Sequence, residues 1–237
     1  MPLTFIDKLN RIPLRYNDLS KQTEVLRDIN MLLQSGVTSK EALRSMIRTG
    51  KGQERLIAIW VSGLIGRWRI SSTLVLILQN RGESDEVRQY AANALTMLPS
   101  KTSVPALMHT LENIDNDIRG RELAAYTIGH IGDGRAITPL IAALTNREEA
   151  EVVRAQAAES LGYMEARQSS DALCICLSDT SAPIRFWCCY ALGNVSSRRA
   201  IPALQHIAQT DTTFVPGWGT VGQEAQGAIN RIVAKQK

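Results

Sequence analysis

The chain has 237 residues, a formal net charge of +4 and only 5% aromatic residues. Its longest apolar stretch, residues 56–66, ends at Arg67 and is shorter than the roughly 20 residues that cross a bilayer. The N-terminus has no charged start followed by an apolar block, so we expect neither a secretory signal nor a membrane span.

Residues 1–53 predict a helical N-terminal cap. Within residues 20–34, apolar side chains recur at helical spacing, and Gly36 follows as a stop. Thr38 and Glu41 have the spacing of a capping box, and they open a second helix that continues through Ile47. This pair is typical of a degenerate repeat that covers the apolar end of a repeat array.

From residue 54 onward the chain repeats one pattern. An arginine opens each copy, at intervals of 33 residues and then once of 31: Arg55, Arg88, Arg121, Arg154 and Arg185. The best copies read Val-Arg-x-x-Ala-Ala-x-x-Leu-Gly, then a short break, then Pro-Ala-Leu or Pro-Leu and a second apolar run. A sixth copy opens at Gly222 and has a first helix alone. A fixed period of this length predicts stacked helix pairs.

Each copy suggests how its helices begin, pack and end. The paired alanines allow a neighbouring helix to approach closely, and we expect the following glycine to form a left-handed cap. Proline suits the start of the second helix, where no amide partner is needed. One position after the second helix favours a helix end or turn, and it holds Asn80, Asn113, Asn146 and Asp179. We therefore expect an all-α, right-handed α-solenoid of about six stacked helix pairs, with residues 54–237 as the repeat domain.

Two segments carry a family resemblance. Arg154-Ala-Gln-Ala-Ala-Glu-Ser-Leu-Gly and Ile131-Gly-Asp-Gly-Arg-Ala-Ile-Thr-Pro-Leu-Ile-Ala-Ala-Leu resemble the HEAT-like repeats, in the short variety first recognised in phycobilisome lyases. The resemblance covers roughly residues 54 to 237. It implies ladders of acid–arginine pairs between rows, and the acids that precede the arginines are Asp85, Asp117 and Glu151. It implies no single function, because one fold serves many scaffolds.

The histidines argue against an enzyme. Within the same family, the deoxyhypusine hydroxylases bind iron through His-Glu pairs, but His109, His130 and His206 are the only histidines here and none precedes a glutamate. The sequence also lacks a phosphate-binding loop and a nucleophile elbow. We expect no catalytic residues, no metal and no cofactor.

The four cysteines have three interpretations. Cys188 and Cys189 occupy the paired-alanine positions, Cys174 aligns with the apolar Met108, and Cys176 lies at the edge of the core face. This register favours free core thiols over zinc or a disulfide. Reduced thiols favour the cytoplasm.

One position of the second helices is a candidate partner-binding row. It lies two residues after the first Leu and faces away from the apolar side, and it holds Leu76, His109, Ala142, Ile175 and His206. The row is either a lightly apolar solvent face or a groove for a partner helix or extended segment. The insertion before the sixth copy adds Phe214 and Trp218, which either plug the end of the array or contact a partner.

Positive charge is concentrated near the N-terminus. Residues 1–82 carry a net +7 and residues 83–237 a net −3. The candidate basic patch consists of Lys40, Arg44, Arg48, Lys51, Arg67, Arg69 and Arg81. It is either an ordinary solvated cap or a contact for an acidic partner or a phosphate backbone. We see no interleaved aromatic platform of the kind on which single strands stack.

These observations favour a non-enzymatic scaffold or adaptor that binds another protein along the solenoid surface. Two alternatives stay open. The resemblance alone suggests an accessory subunit or chaperone in the attachment of phycobilin, a tetrapyrrole, to antenna proteins. The basic N-terminal rows suggest a nucleic-acid-binding module.

Overall fold

The computed structural model describes residues 27, 29–32, 34, 36–37, 39–65, 70–98 and 101–235, and nearly all of its regular structure is helical. The chain divides into two compact units, Met1–Ser103 and Val104–Lys237. The predicted all-α repeat architecture is confirmed. Within the described residues, no helix combines the length and the apolar character that a membrane crossing requires.

The described part of the first unit contains α1 (Lys40–Thr49), α2 (Gly52–Ile65), α3 (Ser71–Gln79) and α4 (Asp85–Met97). Helix α1 packs on α2, and both α2 and α3 pack on α4. The N-cap of α1 is Ser39, whose hydroxyl accepts a hydrogen bond from the Ala42 amide at 3.1 Å. Thr38, the expected cap, lies outside the described residues, as does most of the helix expected over residues 20–34.

The second unit contains eight α-helices in its described part. They are α5 (Val104–Glu112), α6 (Ile118–Ile131), α7 (Ile137–Thr145), α8 (Glu151–Tyr163), α9 (Ser170–Cys176), α10 (Ala182–Asn194), α11 (Ile201–Thr210) and α12 (Val221–Ala234). The first helices of the repeats, α6, α8, α10 and α12, pack in that order, and the second helices α5, α7 and α9 also contact one another in order. This arrangement is the stacking of helix pairs that the period predicts.

Small residues line the contacts between successive first helices. The paired-alanine positions are fully buried in each described repeat, including Cys188 and Cys189 in the fifth copy. The glycine that follows them lies in the last turn of its helix, as Gly162 does in α8, but it does not have the positive φ of a left-handed cap. A Cβ at Gly162 would lie 2.7 Å from the Ala191 Cα. The expectation that this glycine forms a left-handed cap was therefore wrong, since its role is to let α8 and α10 approach.

The left-handed position lies three residues further along. It is occupied by Gly132 in the third copy, Glu165 in the fourth and Ser196 in the fifth, with φ values of 69°, 49° and 58°. Glycine adopts this conformation without a steric penalty, whereas the other two residues are held there by the surrounding turn. The turn is thus conserved in conformation between copies although its residue changes.

The repeated arginines form a structural ladder. Arg154 donates from Nε to the Leu144 carbonyl at 2.9 Å and from a terminal nitrogen to Asp179 Oδ2 at 2.6 Å. Comparable ion pairs join Arg55 to Glu83, Arg121 to Glu149 and Arg185 to Asp211. In these four pairs the carboxylate comes from the segment that follows the second helix, and not from Asp85 or Glu151. Asp117 caps α6 by accepting a hydrogen bond from the Gly120 amide at 2.7 Å.

The predicted turn after each second helix is confirmed. In each case the side-chain oxygen accepts a hydrogen bond from the amide two residues later. The donors are Gly82 for Asn80, Asp115 for Asn113, Glu148 for Asn146 and Ser181 for Asp179. Asp211 makes the same bond with Thr213 at 3.1 Å, so the fifth copy follows the rule too.

The insertion before the last helix folds into a small hairpin. Strands β1 (Phe214–Val215) and β2 (Gly219–Thr220) pair antiparallel, with Phe214 opposite Thr220. Gly217 and Gly219 have φ values of 83° and 115°, which suit glycine at a tight reversal. Thr220 then starts α12 with a capping box closed by Gln223.

Candidate functional site

The candidate row on the second helices is exposed in every copy. Leu76 and Ile175 are 66% and 67% exposed, and His109, Ala142 and His206 are also exposed. Leu76 belongs to the first unit, whereas the other four lie on α5, α7, α9 and α11 of the second unit. We call these four the second-helix row. Its orientation agrees with the helical pattern, and its role in binding stays a prediction.

The hairpin brings an exposed tryptophan against α10. Trp218 is 62% exposed, and its ring centroid lies 4.8 Å from that of Trp187 and 6.4 Å from that of Phe186. Phe214 is 64% exposed on the same hairpin. Trp218 therefore covers part of α10 while one side of its ring stays in solvent, so it has features of both a plug and a contact residue.

The candidate basic patch is only partly described. Arg48, Lys51 and Arg81 are exposed and Arg44 is half-buried, whereas Arg67 and Arg69 lie outside the described residues. Lys40 is the first residue of α1, and its side chain is also outside them. The proposed binding role of the patch stays a prediction.

A cavity of about 1000 Å³ lies in the first unit, and Lys51, Arg55, Trp60, Glu83 and Tyr90 are among its lining residues. The Arg55 fork bonds both oxygens of Glu83, at 2.5 and 2.6 Å. The hydrogen bond from Arg55 lowers the pKa of Glu83. The charge of Arg55 is therefore matched by Glu83 within the cavity wall.

All four cysteines are free, and three of them are buried. Cys188 and Cys189 are fully buried, as the register predicts, but Cys176 is buried and Cys174 is half-buried, the reverse of the expected order. A hydrogen bond with Cys188, helped by the nearby Arg154, lowers the pKa of Cys176 to about 7. Burial raises the pKa of Cys189 to about 12. The described residues hold no group of three His, Cys, Asp or Glu side chains that could bind a metal.

A cluster of aromatic and acidic side chains on α6 and α8 was not predicted. The His130 ring lies between Tyr126 and Tyr163, with centroids 4.2 Å and 4.3 Å away, and it stacks on Tyr163. Glu159 of α8 interacts electrostatically with Tyr126 and His130, and it accepts a hydrogen bond from the side-chain amide of Gln156 at 2.8 Å. Burial raises the pKa of Glu159 and also that of Tyr126, whose pKa the Glu159 charge raises further.

The aromatic surface continues on the next first helices. Trp187 and Tyr190 of α10 lie 5.4 Å apart, and the Arg231 guanidinium of α12 lies 5.6 Å from the Tyr190 ring centroid. We call Tyr126, His130, Glu159, Tyr163, Trp187 and Tyr190 the first-helix face. The sequence analysis did not predict this face. The sequence signal for the first-helix face was weak, because only two repeat positions, five and nine residues after each arginine, supply most of its rings.

The stacked helix pairs and the repeated arginine ion pairs place this chain in the class of helical repeat proteins. Within that class, the model for HEAT repeats matches residues 71–161 and 137–216, which together cover more than half of the chain. The chain belongs to the HEAT repeat family, as its sequence pattern suggests.

Two known proteins agree with the short-repeat variety. The bilin biosynthesis protein PecE of Nostoc sp. (strain PCC 7120 / SAG 25.82 / UTEX 2576) is 46% identical over 55 residues. That match spans 23% of this chain and 21% of the relative. The solved complex of CpcE and CpcF of phycocyanin lyase from Nostoc sp. PCC7120 aligns with a TM-score of 0.53 and 19% identity. The alignment covers 71% of this chain and 98% of that one, and it establishes similarity of fold alone.

Proposed function

We propose that the chain is a non-enzymatic scaffold that binds a partner protein along the second-helix row. The observation that carries the proposal is the repetition of one exposed position on successive second helices, with Ile175 67% exposed. Neighbouring helices pack about 8–10 Å apart, so a partner helix or extended segment can contact several of these side chains at once. The similar solved structure is itself a complex of two chains, CpcE and CpcF, which supports a protein partner.

The test is a change of charge at two members of the row. The double substitution Ile175→Glu and His206→Glu places two carboxylates on the surface without touching the core, since both side chains are exposed. We expect at least a tenfold loss of affinity for a partner first isolated with the wild-type chain and then purified, with an unchanged Tm.

The matched control is Val152→Glu, which adds a carboxylate at an exposed apolar residue on α8. We expect this variant to bind the purified partner as the wild type does. Unchanged affinity of the double variant, with its fold intact, would remove the second-helix row as the binding surface.

A second candidate function is support of phycobilin attachment to an antenna protein. The observation that favours it is the 46% identity to PecE over 55 residues. The test is to combine an antenna apoprotein, its lyase and a bilin with or without this chain and to follow the bilin absorbance. A spectrum that is identical in rate, amplitude and position under both conditions would reject this function.

The location that best suits either function is the cytoplasm. The support is chemical, because four free thiols, of which three are buried in the core, are typical of proteins in a reducing compartment.

A further inference from the structure

Glu159 is a half-buried carboxylate with an unusual set of neighbours. Its hydrogen bond comes from the neutral side-chain amide of Gln156, its charge acts on Tyr126, that of His130 acts on it, and Tyr163 lies one helical turn further along α8. Within the described residues it forms no ion pair with a lysine or arginine. A carboxylate that loses water without gaining a cation is costly, and burial accordingly raises the pKa of Glu159.

Other charged groups on or beside this face have partners. Arg119 pairs with Glu122 on α6 at 2.8 Å, and Arg231 pairs with Glu224 on α12. Glu159 has no lysine or arginine partner among the described residues, and the charge of the half-buried His130, which lowers its pKa, offsets only part of the effect of burial. The faces of aromatic rings are also electron-rich, so the rings and the carboxylate both favour a positively charged ligand.

The equivalent position in the next copy of the repeat indicates which ligand suits Glu159. Tyr190 occupies in the fifth copy the position that Glu159 occupies in the fourth, five residues after the repeated arginine. The Arg231 guanidinium lies over the Tyr190 ring, 5.6 Å from its centroid. The chain thus supplies its own guanidinium at this position, but nothing equivalent reaches Glu159 among the described residues.

We propose that the first-helix face binds an arginine side chain of a partner protein at Glu159, with the carboxylate as its counter-ion and the packed rings of Tyr126, His130 and Tyr163 beside it. A planar guanidinium suits this site better than a lysine ammonium, because it bonds a carboxylate with two donors and stacks on rings. The proposal extends partner binding to a second surface and does not depend on the second-helix row. An anionic ligand would be repelled by Glu159.

The site can be probed with small peptides on the full chain. Two blocked tripeptide amides, Ala-Arg-Ala and Ala-citrulline-Ala, differ chiefly in charge, since citrulline is a neutral analogue of arginine. At pH 8 and low salt, NMR titration should show saturable shifts of the Tyr126, His130 and Tyr163 ring signals with the arginine peptide. We expect affinity for the citrulline peptide to be at least tenfold weaker.

Substitutions test whether binding depends on the Glu159 carboxylate itself or only on an intact fold. Glu159→Gln should lower affinity for the arginine peptide at least tenfold and remove the preference over citrulline. Glu151→Gln removes an exposed charge from the start of the same helix and should bind as the wild type does. Tyr163→Leu, at a 54% exposed position, is a second test of the site that leaves the carboxylate in place, and it should also weaken binding.

Binding at Glu159 can be tested independently of binding at the second-helix row. The Ile175→Glu and His206→Glu double variant should bind the arginine peptide normally, so a failure at one surface leaves the other open. Equal affinity for the two peptides, an unaffected Glu159→Gln variant, or the absence of saturable binding would overturn the arginine site.

Discussion

At the scale of single residues, the buried thiols are substitutes for alanine. Cys189 is fully buried at a contact between first helices, where earlier copies have alanine. We expect Cys189→Leu to destabilise the protein by about 1–3 kcal/mol through overpacking, whereas Cys189→Ala should be well tolerated. Urea unfolding of the three proteins measures the difference. If leucine were tolerated as well as alanine, the position would not lie at a tight helix contact.

Glu159 gives a second prediction at this scale, for stability against pH. Because its folded-state pKa is raised, the folded chain binds this proton more tightly than the unfolded chain does. The stabilising contribution of the protonated form is present at low pH and is lost as pH rises through the folded-state pKa. Glu159→Gln mimics the protonated form, so it should have a higher Tm than the wild type at pH 8 and a similar Tm at pH 4.

Thermal melts of the two proteins at several pH values test the predicted direction of this difference in Tm. Glu148→Gln, at an exposed loop position, is the matched variant that corrects for the loss of one surface charge. A wild type that is more stable than Glu159→Gln at pH 8 would mean that the carboxylate already has a favourable partner. That result would also weaken the case for an external arginine.

At the scale of helices, Gly162 marks a close approach of α8 and α10. Replacing glycine by alanine inside a helix normally gains up to about 1 kcal/mol. At Gly162 the added methyl would meet Ala191 at 2.7–2.9 Å, and we expect a net loss of about 1–3 kcal/mol. At Gly227 of α12 the nearest atom is the Arg231 guanidinium at 3.4 Å, and the same change should be neutral or stabilising.

Chemical unfolding of the two variants compares these positions directly. If both gained stability, the spacing of α8 and α10 would not be set by the glycine. This pair of positions also explains an error of sequence interpretation. A repeated Leu-Gly near a helix end suggests a left-handed cap, but the alignment of copies carries no information on how near the next helix comes. The left-handed residue itself varies between Gly132, Glu165 and Ser196 and so leaves little signal.

At the scale of the whole molecule, repetition made the fold predictable and the surfaces only partly so. The inward side of each second helix follows from its spacing of leucines, which is why the exposure of Ile175 and His206 could be derived. The first-helix face could not, because its two main ring positions, five and nine residues after the arginine, hold an aromatic ring in some copies and other residues in the rest. Trp187 and Tyr190 belong to one copy and Tyr163 to another. Trp218 joins them from an insertion, and no periodic pattern contains it.

The arginine ladder has a consequence for how such a chain can change in evolution. The paired groups are 25–28 residues apart in sequence, as in Arg121 with Glu149 and Arg154 with Asp179, so both members lie within one repeat length. The turn that follows each second helix is closed by a bond between residues two apart. Duplication of one repeat therefore copies each cation together with its anion. A gene of this kind can gain or lose a whole repeat without leaving a buried charge behind, and binding surfaces can lengthen by the same step.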